Sequence, residues 1–149
     1  MQRIKFIFYL IFLFPQWVFA SCTITTPSFN FGDYDPQDAT PTTGTGTLTT
    51  SCTNDGIMDY MISSSAGNSG AYLNRYVAHG ANHLSYNLYV NPSYSSIWGN
   101  GSPGTSIITR TRQQCGKVPC TELIYGRIPA LQSAPPGQYT DMIAIILQY

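Results

Sequence analysis

The chain has 149 residues, of which 9% are charged, with seven Lys and Arg against seven Asp and Glu. With Arg3 and Lys5 of the N-terminal segment set aside, five basic residues face seven acidic ones, which leaves no field for nucleic acid or anionic lipid. Little charge, thirteen Gly and eleven Tyr, together with frequent Thr, Ser and Asn, point to an all-β extracellular protein.

Residues 1–20 read as a signal peptide: Arg3 and Lys5 form a basic start, an unbroken apolar run extends from Phe6 to Phe14, and Val18, Phe19 and Ala20 give the cleavage pattern. That run of nine residues is far short of the ~20 needed to cross a bilayer. Cleavage after Ala20 leaves residues 21–149, one exported domain without stable membrane insertion. A lipid anchor on Cys22 is the competing reading, since Phe19-Ala20-Ser21-Cys22 loosely resembles a lipid-attachment box. Phe fits poorly there, and lipidation would leave three cysteines in an oxidising compartment.

Four cysteines, Cys22, Cys52, Cys115 and Cys120, allow three pairings in a secreted chain. Their spacing favours Cys22–Cys52, which closes a 31-residue loop, and Cys115–Cys120, which closes a six-residue one. On the chain-entropy relation these contribute about 3–4 and about 2 kcal/mol.

Short strands with turn chemistry between them follow. Cys22 and Ile24 share a face, Pro27 breaks the phase, and Phe29 and Phe31 resume it before a turn over residues 32–36. Residues 39–45, rich in Thr, Pro and Gly, read as a linker. Leu48, Thr50 and Cys52 alternate, as do Met58, Tyr60 and Ile62, with Asn54-Asp55-Gly56 as a hairpin signal between them. Leu84, Tyr86, Leu88 and Val90 give one clean alternating strand, and residues 98–104 a turn-rich loop. Ile107 and Ile108, then residues 123–128, read as further strands, and Arg110 and Arg112 as a solvated strand face. Seven or eight strands at this spacing predict an immunoglobulin-like β-sandwich.

Residues 137–149 end the sequence as a strand fed by the turn at Pro135, Pro136 and Gly137. Tyr139, Ile143, Ile145, Leu147 and Tyr149 fall on one face, while Thr140, Met142, Ala144, Ile146 and Gln148 fall on the other. Both faces are apolar enough that the strand must be covered or paired along its edge.

No catalytic or metal set stands out, and no cofactor is expected. His79 and His83 have a spacing that suits a metal on a helix, but Gly80 and Asn82 place them in a loop. Asp33 and Asp35 belong to a turn, where such side chains bond local backbone. Tyr94 and Trp98, with Tyr89, are candidate surface contacts for a sugar, which makes a carbohydrate-binding module an alternative; core packing is the plainer reading of the same rings.

Seven segments together resemble one family: F-G-D-Y-D-P at 31–36, T-S-C at 50–52, R-Y-V-A-H-G at 75–80, L-S-Y-N-L-Y at 84–89, W-G at 98–99, Y-G-R-I-P at 125–129 and G-Q-Y-T-D at 137–141. In this order they are similar to the spore coat protein U family, which includes subunits of archaic, Csu-type chaperone-usher pili. The resemblance implies a sandwich lacking its final strand. Its groove, formed by Tyr139, Ile143, Ile145, Ile146, Leu147 and Tyr149, would be filled by a strand from a periplasmic chaperone and then from another pilus subunit at the outer-membrane usher. Only Ser21 stands between the expected cleavage site and Cys22, so the resemblance implies a strand acceptor, tip-like in a pilus, or a stand-alone coat protein.

Overall fold

The computed structural model describes residues 21–26, 28–52, 59–111 and 119–149. The strands, in chain order, are β1 (Cys22–Thr25), β2 (Thr42–Cys52), β3 (Tyr60–Ser64), β4 (Tyr76–His79), β5 (Asn82–Ser85), β6 (Asn87–Tyr89), β7 (Ile108–Arg110), β8 (Cys120–Ile128) and β9 (Ile145–Gln148). Among the described residues helix is confined to two 3₁₀ turns, Gly67–Ser69 and Tyr72–Asn74. The hairpin signal at Asn54-Asp55-Gly56, together with Met58, Arg112 and Cys115, lies outside the described residues.

The strands pair antiparallel in three sheets of order β1-β2-β8-β6, β7-β3-β9 and β4-β5. The first two face each other as an immunoglobulin-like sandwich. Leu48, Leu88, Ile124 and Ile128 from one sheet meet Tyr60, Ile62 and Ile108 from the other, and all are buried. Their neighbours along the strands are partly or fully exposed, except Asn87, which is buried in a polar network, so the period of two largely sets which residues are removed from water.

Three sequence expectations are corrected by the packing. The linker read at 39–45 is strand from Thr42 onward. Gly44 and Gly46 of β2 and Gly126 of β8 leave an inner surface without side chains, and the rings of Phe29 and Phe31 fill it. A Cβ at Gly126 would lie 2.5 Å from Phe29 and 2.6 Å from Phe31. The glycines thus serve packing, while the β-branched threonines between them suit the outer face of a strand.

The run from Leu84 to Val90 is split between β5 and β6, in different sheets. The Gln132 side chain takes both polar groups of the Ser85 backbone, at 2.8 and 2.9 Å. The Tyr86 N–H donates to Arg75 O, and pairing with β8 begins only at Asn87.

The final strand is shorter than residues 137–149. Only Ile145–Gln148 is strand, whereas Thr140 bridges Ala78 and Ala144 bonds Ser65. Alternation persists from Met142 to Gln148, with Ile143, Ile145 and Leu147 partly buried and Met142, Ala144 and Ile146 exposed, but Tyr149, expected on the inner face, lies beyond the strand and is exposed.

Cys22 and Cys52 are register partners of β1 and β2 and are joined by a disulfide, with Cα atoms 4.0 Å apart. Cys120 is also disulfide-bonded; its expected partner, Cys115, is outside the described residues.

Candidate functional site

β9 is an edge strand. On one side it pairs with β3 (Ile62 opposite Leu147, Ser64 opposite Ile145), and no described strand lies on the other. β1 is likewise the edge of the opposite sheet, bonded only to β2, and it approaches β9 across the sandwich. Ile24 of β1 and Ile143, Ile145 and Leu147 of the C-terminal segment pack on the core only in part, whereas Ile62 and Ile124 deeper inside are 0% and 2% exposed. Among the described residues nothing covers the core along this edge. The backbone N–H and C=O groups on the free side of β9 lie beside that apolar strip, the geometry that an added strand requires.

The remaining residues expected at the groove are placed as follows. Tyr139 is partly buried, with its hydroxyl donating to Pro135 O at 3.0 Å and its ring near His79. Ile146 and Tyr149 are exposed, at 50% and 54%. Ile24 was missed; its sharing of a face with buried Cys22 was the available signal.

A buried polar network fixes the approach to β9. Arg75 is 0% exposed. Its Nη1 donates to Asn87 Oδ1 (2.8 Å), and its Nη2 to Ser64 Oγ (2.9 Å), Ser65 O (2.7 Å) and Trp98 O (2.9 Å). Burial lowers its pKa below the usual arginine value. Next to it, Asp141 accepts from Tyr86 OH (2.6 Å), Asn68 N–H (2.7 Å) and Met142 N–H (2.7 Å). Burial first, and the bond to Asp141 second, push the Tyr86 phenol well above the tyrosine range, so it stays a donor. Asp141 thus ties the segment entering β9 to the 3₁₀ turn and to Tyr86.

Several side chains singled out from sequence have other duties. Trp98 is no surface contact: it is 2% exposed and its Nε1 donates to Ile62 O at 3.2 Å. Burial is favourable there because the one polar atom of the indole finds a partner. Tyr94 is partly exposed at a positive φ of 53°, packed edge-on against Tyr89 and Tyr125 with Arg127 over its ring. Arg110 is not a free solvated charge, because it forms an ion pair with buried Glu122 across the two sheets. His83 stacks on Tyr76 at 3.9 Å, and a hairpin at Gly80 replaces the helical turn that a metal pair would need. Asp35 Oδ1 accepts the Gln37 N–H at 2.8 Å, a local turn bond. Among the described residues no three His, Cys, Asp or Glu side chains group to hold a metal, and no helix is long and apolar enough to cross a membrane.

The segments that carried the family resemblance meet in space. Phe31 packs on Tyr86, Tyr34 OH accepts from Gln132 N–H and donates to Pro129 O, and the Arg75, Asn87, Trp98 and Asp141 network joins three more, so that six of the seven are in contact. No curated protein matches the chain. Among solved structures the fold is similar to a chain in the crystal structure of the CsuC–CsuE chaperone–tip adhesion subunit pre-assembly complex from archaic chaperone-usher Csu pili of Acinetobacter baumannii. The TM-score is 0.63 and the identity 18%, over 89% of this chain and 40% of that one. This chain therefore spans well under half of the length of the one it matches. The Spore Coat Protein U domain family matches residues 12–146, and with that match over nearly the whole length, on a fold whose shared motifs build its core, the chain belongs to that family.

Proposed function

We propose that this chain is a subunit of an archaic chaperone-usher pilus and that it accepts a strand along the free edge of β9. A periplasmic chaperone fills the edge first, and a strand from another subunit replaces it at the outer-membrane usher. In this reading residues 1–20 direct export and are removed, residues 21–149 fold in the periplasm, and the assembled fibre supports attachment and biofilm formation. The role is structural and adhesive, without catalysis. The observation that carries the reading is the half-open core beneath Ile143, Ile145 and Leu147, bounded by the two edge strands β1 and β9. An incoming strand adds main-chain hydrogen bonds to β9 and places alternate side chains into the apolar strip.

The test is an alternating apolar peptide fused after Tyr149 through a flexible linker. A tether supplies an effective concentration in the mM range, and occupancy of the folded form raises stability by several kcal/mol once that concentration exceeds Kd about a hundredfold or more. The melting temperature should rise for this peptide and stay put for one with Asp at its inward positions. Equal melting temperatures for both would mean that the sandwich is complete by itself.

A further inference from the structure

Away from the β9 edge, a cleft of about 630 Å³ opens between the second 3₁₀ turn, β6 and the end of β8. That volume lies in the range of about 300–1,000 Å³ typical of small-ligand sites. Its lining includes two arginines, Arg75 and Arg127, and no carboxylate. The cleft is therefore cationic in a chain whose residues 21–149 carry more acid than base. Asp38, next to the lining Ala39, turns its carboxylate onto the Thr40 N–H and hydroxyl.

The two arginines differ in what they offer. Arg75 is held wholly by neutral oxygens, and its Nε is buried without a partner among the described residues. Asp141 beside it offsets part of its charge, so it adds a fixed but partly compensated positive field, and Arg127 carries the charge offered to a ligand. Arg127 is reachable from solvent, has no ion pair among the described residues, and is held over the Tyr94 ring at 5.5 Å. Its fork is thus pre-positioned for a planar bidentate acceptor. Tyr89, Leu73, Ile97 and Pro129 supply apolar walls, with Leu73 57% exposed.

We propose that this cleft binds an acidic saccharide, with a sugar carboxylate on Arg127 and the apolar ring faces against Tyr89 and Leu73. A peptide carboxylate is the poorer occupant, because the β6 backbone at the cleft is already paired: Tyr89 bridges Ile97, and the Trp98 N–H donates to Leu88 O. No strand edge remains there for a peptide to dock on.

The experiment is calorimetric titration of the full chain with trigalacturonate, with neutral galactotriose and with hexaglutamate. Trigalacturonate should bind at least about tenfold more tightly than either of the others. Arg127→Ala should remove that difference while leaving the melting temperature unchanged, and Arg127→Lys should keep part of it. The proposal is overturned by equal binding of galactotriose or of hexaglutamate, by an Arg127→Ala variant that binds like the parent, or by the absence of saturable trigalacturonate binding below ~10 mM.

Discussion

Replacing Arg75 with Met tests whether the buried network holds the fold through its bonds or merely tolerates a charge. Of the four acceptors that Arg75 serves, three keep another partner: Asn87 Oδ1 retains the Leu88 N–H, Trp98 O retains the Ser64 hydroxyl, and Ser64 Oγ retains that same bond as donor. Only Ser65 O loses its hydrogen-bond donor outright. One orphaned, partly buried carbonyl costs up to about 1–3 kcal/mol, and the Met side chain refills most of the arginine stem. Removing the charge offsets part of this, since its burial already lowers the arginine pKa. The expected loss is therefore about 1–3 kcal/mol for Arg75→Met and about 2–5 kcal/mol for Arg75→Ala, which adds a cavity. Urea unfolding followed by the fluorescence of buried Trp98, whose carbonyl the network holds, measures both. An Arg75→Met variant as stable as the parent would refute the reasoning, because relief of the buried charge would then have outweighed the lost bonds.

Three other outcomes are expected. Gly126→Ala should lower stability by about 1–3 kcal/mol through overpacking against Phe29 and Phe31, and Phe29→Leu in the same chain should recover part of it in a double-mutant cycle. Cys52→Ala should cost about 3–4 kcal/mol, read from urea midpoints against the disulfide-bonded parent, because the bridge closes the loop between residues 30 positions apart. Above pH ~10, stability should fall, since burial raises the pKa of Tyr86 and of Tyr60 and both keep protons that the unfolded chain releases. Tyr86 contributes a loss approaching about 1.4 kcal/mol per pH unit, and Tyr60 adds a loss of the same sign. Tyr86→Phe should remove one proton from that slope in alkaline urea titrations, and an unchanged slope would contradict the assignment.

The class of fold and the apolar face of the last strand were legible because period-two alternation survives from sequence to structure, as at Leu48 and Thr50 or at Ile143, Ile145 and Leu147. What alternation does not encode is which sheet a strand joins. The run from Leu84 to Val90 looks continuous, and its division depends on Gln132, more than forty positions away. Residues 42–45 looked like linker because Gly usually marks turns, yet here the missing side chains make room for a ring supplied by Phe29. Trp98 sits among turn residues, and nothing local announces that Ile62 O, 36 positions earlier, will satisfy its indole. Arg75 was invisible as a core residue for the same reason, since its acceptors come from Ser64, Ser65, Asn87 and Trp98. The apolar edge at β9 was partly readable and its other wall was not: β9 shows its apolar face, but only the tertiary fold brings β1 near it.

The pairing of β9 with β3 also sets a timetable for folding. Ile62 finds its partner Leu147 only when 85 further positions have been delivered, since β3 lies at the centre of its sheet and β9 forms one of its two sides. Loop closure over so long a span is slow, and until it happens the apolar residues of β3 lack half of their sheet. A chain delivered from its N-terminus therefore cannot complete this layer until Ile145–Gln148 is free. A factor that binds β9 at that moment acts on a contact of long sequence separation, where it can steer the chain away from aggregation as well as cover its edge.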